Sequence, residues 1–298
     1  MVDVIELDKI FIQTIEAKWL KDQDVCLDIL RTDVLHPVIS GNKWFKLRYY
    51  LEEALSAGSK HITTFGGAYS NHIIATACAC KQLGLACTGI IRGERPAVLS
   101  STLVYAQSFG MQLQFVSRED YKNKAIVKQL SDTYIIHEGG YGKQGARGAA
   151  TILDYCPNLN QYSHIICAVG TGTMLAGIIK SATATQLVLG ISVMKANRAL
   201  ENELDQLLEK EDQQKQYSIL HDYHFGGYAK HPPALIAYMN TIWQAHQLPT
   251  DIVYTSKTFF AAETLIRNNT ITPGSRVLMI HSGGLQGNLS LPPGVLLF

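Results

Sequence analysis

The chain has 298 residues, a formal net charge of +1, and 47% hydrophobic against 17% charged residues. That balance describes a well-buried globular protein of one large or two small domains, and it gives no electrostatic reason to expect nucleic acid or an anionic membrane as a partner. Six cysteines in this length exclude a disulfide scaffold and fit reduced, buried thiols and a cytoplasmic location.

In chain order, residues 1–8 are acidic and carry no basic-then-apolar signal pattern. Residues 44–57 read as a helix with Trp44, Leu47, Tyr50, Leu51 and Leu55 on one face. Residues 61–65 read as a short strand that ends at Gly66-Gly67. The apolar run 73–91 is broken by Lys81 and Gln82, so it reads as a helix over 71–83 and a strand over 87–91, not as a membrane span. Helix is then expected over 100–109, strand over 112–116, helix over 121–129 and strand over 134–136. The pattern restarts after Gly145 with helix over 147–155, strand over 163–169, helix over 174–181 and strand over 186–193. The polar run 201–216 reads as a solvated helix. Strands alternating with helices indicate parallel α/β layers, in which ligands sit beyond the carboxyl ends of the strands. Gly-rich turns fall at such ends, after Phe65, after Ile136 and after Val169.

Several residues in these turns are suited to chemistry. Lys43, in Ser40-Gly41-Asn42-Lys43, sits at a loop-to-helix junction, where burial and the helix N-terminus both disfavour its ammonium form. A lysine there is otherwise poorly matched to the helix dipole; Lys46 shares roughly the same face and is the competing candidate. Ser70 or Asn71 can cap the next helix, whose exposed amides suit a carboxylate. Gly170-Thr171-Gly172-Thr173-Met174 follows a strand and opens a helix, with small residues that let amides wrap a phosphate. It is neither a Walker loop, since no Lys-Ser/Thr ends it, nor the dinucleotide fingerprint, since Leu175 stands where the third glycine belongs. Tyr228 and Tyr254 offer rings and hydroxyls for stacking or proton transfer. His221, His224 and His231 match no metal-ligand spacing, so no metal is expected. An amine, an anion-binding helix start and a phosphate cup together suggest pyridoxal phosphate chemistry on an amino acid.

The segments Gly41-Asn42-Lys43-x-x-Lys46-Leu47, Gly66-Gly67-x-x-Ser70-Asn71-His72, Glu138-Gly139-Gly140, Thr171-Gly172-Thr173-x-x-Ala176-Gly177, Val253-Tyr254-Thr255-x-Lys257 and His281-Ser282-Gly283-Gly284 run in one order across nearly the whole chain. With them the chain resembles the D-cysteine desulfhydrase and 1-aminocyclopropane-1-carboxylate (ACC) deaminase family, within the tryptophan synthase β-like, fold type II pyridoxal phosphate enzymes. The resemblance implies two interwound three-layer α/β/α domains, 1–47 plus 156–298 as the larger cofactor-binding domain and 48–155 as the smaller, with the active site between them. It implies that Lys43 carries the cofactor and that Asn71 faces its phenolic oxygen. Thr171, Gly172, Thr173 and Met174 would hold the phosphate, the amides of Ser70, Asn71 and His72 the substrate carboxylate, and Thr255 or Ser282 would face the ring nitrogen. Tyr228 and Tyr254 would flank a small amino-acid substrate, and Lys43, Ser70, Tyr228 and Tyr254 form the implied catalytic set. A homodimer is implied by the same likeness. ACC deaminases carry Glu where this chain has Thr255, and a neutral partner makes a weaker electron sink, which favours α,β-elimination with a good leaving group, as in D-cysteine desulfhydrase. Trp44-Phe45 departs from the family pattern beside the lysine, where the substrate pocket is expected.

Overall fold

A computed structural model describes residues 5–123 and 132–298. Strands β1 (Phe11–Thr14), β2 (Cys26–Arg31), β3 (His61–Gly66), β4 (Ala86–Arg92), β5 (Gln112–Val116), β6 (Tyr134–Ile136), β7 (His164–Val169), β8 (Leu187–Ser192), β9 (Tyr217–Leu220) and β10 (Arg276–His281) form two sheets. The six-stranded sheet has the order β1-β2-β10-β7-β8-β9 and the four-stranded sheet β5-β4-β3-β6. Only β1 runs antiparallel, against β2; the other pairs are parallel. Parallel strands buried on both faces require continuous apolar runs. Ile165, Ile166 and Cys167 of β7 and Val277, Leu278 and Met279 of β10 supply them, all fully buried.

Helices α1 (Lys18–Asp22), α2 (Asn42–Ser56), α3 (Asn71–Leu83), α4 (Ser101–Ser108), α5 (Arg118–Asn123), α6 (Lys143–Ala150), α7 (Thr173–Ser181), α8 (Leu200–Asp205), α9 (Pro233–His246) and α10 (Thr255–Arg267) cover the sheets. The small residues of α3 let it be buried on every side from Asn71 to Cys80. Helices α2, α6 and α7 pack nearly backbone to backbone: a Cβ on Gly148 would lie 1.8 Å from the Phe45 carbonyl oxygen, and one on Gly177 2.5 Å from Ala149 Cβ. The chain enters α2 through Gly41 at φ 58°, where a Cβ would stand 2.1 Å from the Ser282 carbonyl oxygen. Only glycine allows that approach, which sets the start of α2 against the loop after β10.

Some expectations shift. Helix over 147–155 is replaced by α6, which starts at Lys143 because Gly142 turns the chain there, and by a short 3₁₀ turn at Leu153–Tyr155. The run 201–216 is not one helix: α8 stops at Asp205, since buried Leu207 and Leu208 pull the chain inward. Of the helix expected over 121–129, residues 121–123 lie in α5 and 124–129 lie outside the described residues. No helix among the described residues is long and apolar enough to cross a membrane.

Candidate active site

The carboxyl ends of β3, β4, β6, β7 and β10 converge on a cavity of about 420 Å³, walled by residues of both sheets' loops. Lys43, Ser70, Asn71, His72, Thr171, Gly172, Thr173, Met174, Tyr228, Tyr254 and Ser282, scattered over the sequence, all line it.

Lys43 lies in the first turn of α2, buried, with Nζ donating a very short hydrogen bond to Asn42 Oδ1. The Asn42 amide nitrogen in turn reaches Met174 Sδ at 3.2 Å, so the amine is steered by a residue tied to the glycine-rich turn. Burial lowers the Lys43 pKa to about 8, against the pull of the Asp251 carboxylate. Lys46, one turn on, is pushed lower still, to about 7, by burial and by the Lys43 charge. Both amines face the cavity, so the competition between them persists in the fold.

His72 stands beside these lysines. Thr64 Oγ1 donates to the Ile136 carbonyl at 2.8 Å and also lies 2.8 Å from His72 Nε2. The hydroxyl proton is therefore spent, and His72 Nε2 must carry the hydrogen. His72 Nδ1 is then a buried acceptor with no partner among the described residues. Burial, with Lys46 and Lys43 nearby, drives the His72 pKa to about 3, so the ring is neutral.

The start of α3 is an anion site with two free donors. The Ser70 amide is committed to the Gly67 carbonyl at 3.1 Å, so of the amides expected to bind a carboxylate only those of Asn71 and His72 lack an acceptor among the described residues. Ser70 Oγ accepts the Ile73 amide at 3.4 Å, which leaves its proton free for the cavity. Asn71 Nδ2 reaches the Gly284 carbonyl at 3.3 Å, while its Oδ1 is buried and unpartnered.

After β7 the amides of Thr171, Gly172, Thr173 and Met174 find no acceptor among the described residues, and Gly172 at φ 77° opens α7 without a capping side chain. Consecutive free amides at a helix N-terminus, with the hydroxyls of Thr171 and Thr173 3.0 Å apart, form a cradle for a phosphate. Tyr254 and Tyr228 close the other side, with ring centroids 6.1 Å apart at 75°, and Lys43 Nζ lies 5.8 Å from the Tyr254 ring centre. Burial and the neighbouring Tyr228, Asp251 and Glu138 raise the Tyr254 pKa well above its ordinary value.

Thr255 is not brought to the cavity wall. Its hydroxyl donates to Asp251 Oδ1 at 2.7 Å and accepts the Asp251 amide at 2.7 Å. Ser282 is buried, lines the cavity, and has no hydrogen bond to its hydroxyl among the described residues. Behind it, Arg31 clamps Asp33 with bonds of 2.8 and 2.7 Å, and His281 Nδ1 lies 3.2 Å from the same carboxylate. Burial opposes the Asp33 charge, but His281 and Arg31 outweigh it and the pKa falls. Trp44 and Phe45 also miss the cavity: both are buried in the core, with the Phe45 ring 5.7 Å from that of Tyr155.

Asp251 was not singled out from the sequence. It is fully buried, and its carboxylate takes the amides of Val253, Tyr254 and Thr255 at 2.9, 3.0 and 2.7 Å, which fixes the turn that presents Tyr254. An Asp just ahead of a helix is a capping signal, and that was the available clue. Arg92 and Glu138 are further cavity residues without a role in the motif reading.

The unpartnered Asn71 Oδ1 and His72 Nδ1, the lysine of lowered pKa and the free amide cradle fit pyridoxal phosphate. A family model described as pyridoxal-phosphate dependent enzyme matches residues 25–283. A provisional 1-aminocyclopropane-1-carboxylate deaminase of Thermotoga maritima is 30% identical over 87% of this chain and 88% of its own length. The mitochondrial bifunctional D-cysteine desulfhydrase/1-aminocyclopropane-1-carboxylate deaminase of Arabidopsis thaliana is 27% identical over 87% of this chain and 72% of its own. A solved structure of an ACC deaminase homologue superposes with a TM-score of 0.80 at 24% identity, covering 94% of this chain and 90% of that one.

Proposed function

The chain belongs to the pyridoxal-phosphate dependent enzyme family, and we propose that within it the protein is a lyase that acts on a small amino acid by α,β-elimination, most like D-cysteine desulfhydrase. The observation that carries this reading is the buried Lys43 amine with its pKa lowered to about 8, aimed into the same cavity as the free amides of α3 and α7.

In this reading Lys43 is the residue that carries the cofactor, the amides of Thr171, Gly172, Thr173 and Met174 hold its phosphate, and Asn71 and Ser282 contact the ring. Pyridoxal phosphate, when bound, supplies an aldehyde carbon for amines and a ring that withdraws electrons from the substrate's Cα. The amides of Asn71 and His72 hold the substrate carboxylate, with the Ser70 hydroxyl as a third donor. Lys43 Nζ accepts the Cα proton, since burial keeps a usable share of the amine neutral near pH 8. The Tyr254 hydroxyl keeps its proton across the working pH range and can deliver it to the departing group. The Cα–H and Cβ–X bonds break, X leaves with the bonding pair, and water then releases ammonia and leaves a keto acid.

ACC deaminase is the second reading, favoured by the name of the Thermotoga relative. A panel of D- and L-amino acids with ACC, assayed for keto acid, decides: pyruvate from D-cysteine or β-chloro-D-alanine supports elimination, whereas faster 2-oxobutyrate from ACC puts the deaminase first. The division into domains 1–47 plus 156–298 and 48–155 is supported by the two separate sheets. A homodimer is supported by exposed Val104 and Tyr105 on α4 and by exposed Val98 and Leu289, and sedimentation measures it. The cysteines, all free, suit a reducing compartment such as the cytoplasm.

A further inference from the structure

We propose that the substrate carries a second anionic group on a short side chain, and that Arg92, at the mouth of the cavity, is the residue that selects for it. The inference rests on the reading above only for the orientation of the substrate, with its α-carboxylate at the start of α3.

Arg92 is the last residue of β4, so the strand end delivers its side chain to the cavity. Its guanidinium carbon sits 5.5 Å from the centre of the Tyr121 ring. One of its terminal nitrogens overhangs the turn into α3, 3.4 Å from where a Cβ on Gly67 would lie. Among the described residues its side chain makes no hydrogen bond or ion pair, and it stacks on Tyr121. A guanidinium is always charged and presents a planar fork of donors that matches a carboxylate or sulfonate. Stacked on an aromatic ring at the wall of a ligand cavity, exposed and without an ion pair among the described residues, it is a cation open to a ligand, with the Glu138 carboxylate, which acts on the same two tyrosine hydroxyls, as the opposing charge at that end of the cavity.

Except for Lys46, which lies at the inner wall beside Lys43 and His72, the other donors of the cavity already have assignments. Lys43 is the cofactor lysine, the α7 amides take the phosphate, and the α3 amides take the α-carboxylate. Arg92 lies apart from the reacting amine: its charge acts on the hydroxyls of Tyr121 and Tyr228, whereas the charge felt by Lys43 is that of Asp251. Tyr228 is 43% exposed, so this is the outer part of the cavity, where a substrate's side chain and not its α-carbon projects. The class of substrate that answers Arg92 is therefore a small amino acid whose side chain ends in a carboxylate or sulfonate.

The holoenzyme tests this through the visible absorbance of its cofactor. The D- and L-forms of aspartate and cysteate, against those of alanine and serine, are titrated into wild type, Arg92→Gln and Arg92→Lys. Wild type should bind the anionic set more tightly. Arg92→Gln should shrink the anionic-to-neutral affinity ratio by roughly tenfold or more, as expected for losing a charge-assisted pair, and Arg92→Lys should keep part of it. Equal weakening of both sets assigns Arg92 to the α-carboxylate and overturns the proposal. So does an unchanged ratio, or a wild type that shows no shift with any anionic ligand. Keto-acid release from the same ligands separates the two readings. Selective binding through Arg92 with no keto acid from any amino acid sinks elimination and leaves this inference standing. Keto acid from neutral amino acids, with an unchanged ratio in Arg92→Gln, sinks this inference alone.

Discussion

Thr255 and Asp251 hold each other across the first turn of α10: the Thr255 hydroxyl gives its proton to the Asp251 carboxylate at 2.7 Å and takes the Asp251 amide proton at 2.7 Å. A hydroxyl has one proton to give, so Thr255 has none for a ring nitrogen. Of the two candidates for that contact, the one with a free hydroxyl on the cavity wall is Ser282. Residue 255 therefore acts on the turn it stabilises, which presents Tyr254, and not on the choice of reaction.

Thr255→Val should lower stability by about 1–3 kcal/mol, since it removes a buried hydrogen bond to a charged group, and should leave the order of substrate preference as it was. Thr255→Glu should be far more damaging, because it places a second carboxylate against the fully buried Asp251, and it should confer no ACC turnover. Ser282→Ala, in contrast, should lower kcat and cofactor affinity by tenfold or so with little change in urea midpoint. Denaturation curves beside steady-state kinetics on the three variants check the assignment, and a Thr255→Val enzyme that folds normally yet changes its preference from amino acid to ACC would sink it.

Borohydride reduction of the holoenzyme should attach the cofactor to Lys43 and not to Lys46. Both amines are buried and shifted, but only Lys43 is held by Asn42, which is itself tied to Met174 in the phosphate turn. Peptide mapping reads the result, and Lys43→Ala should show no measurable keto-acid release. Asn42→Ala should retain the linkage but lower kcat several-fold, as the amine loses its fixed direction.

Gly172→Val should release the cofactor. The cost comes from the backbone: a Cβ at 172 would make only ordinary contact, 3.5 Å from Leu200, but φ is 77°. A β-branched residue there costs roughly 1–2 kcal/mol or more, or turns the peptide away and breaks the amide cradle. Equilibrium dialysis of pyridoxal phosphate should show at least tenfold weaker retention, whereas unchanged retention would place the phosphate elsewhere.

The elements that carry the turns were legible because short β-prone runs end at glycines: Ile62-Thr63-Thr64-Phe65 before Gly66, and the wholly apolar Ile165–Val169 before Gly170, read as strands running into turns. Most motif residues were legible for the same reason, since they occupy turns whose glycines announce them; Tyr254 and Thr255, in a segment without glycine, did not have that signal. What escaped was set by tertiary contact. Strands β2 and β10, paired in register from Cys26–Arg276 to Arg31–His281 at the centre of the larger sheet, are brought together across most of the chain, and no local pattern records that. The neighbours of Lys43 misled in the same way: Trp44 and Phe45 adjoin it in sequence, yet the helical turn sends them into the core while Lys46 returns to the cavity. The commitment of Thr255 to Asp251 is a hydrogen-bond count that only coordinates supply.

The lysines also make stability depend on pH in the apoprotein. An unfolded Lys46 keeps its proton up to a pKa of 10.5, whereas the folded one loses it near 7, and Lys43 behaves alike near 8. Between these folded and unfolded values the unfolded state binds more protons, so stability rises with pH from about 7 toward 10 as far as these groups decide. Below pH 7 both states are protonated at Lys46 and the full cost of burying the charge is borne by the fold. Lys46→Met keeps the apolar stem and removes the charge. It should raise apoprotein stability at pH 7 by on the order of 2–4 kcal/mol and flatten the rise toward pH 10. Urea unfolding of apo wild type and Lys46→Met at pH 6, 7, 8.5 and 10 reads the effect. Parallel curves for the two proteins would mean that Lys46 is hydrated in solution and carries its proton at neutral pH.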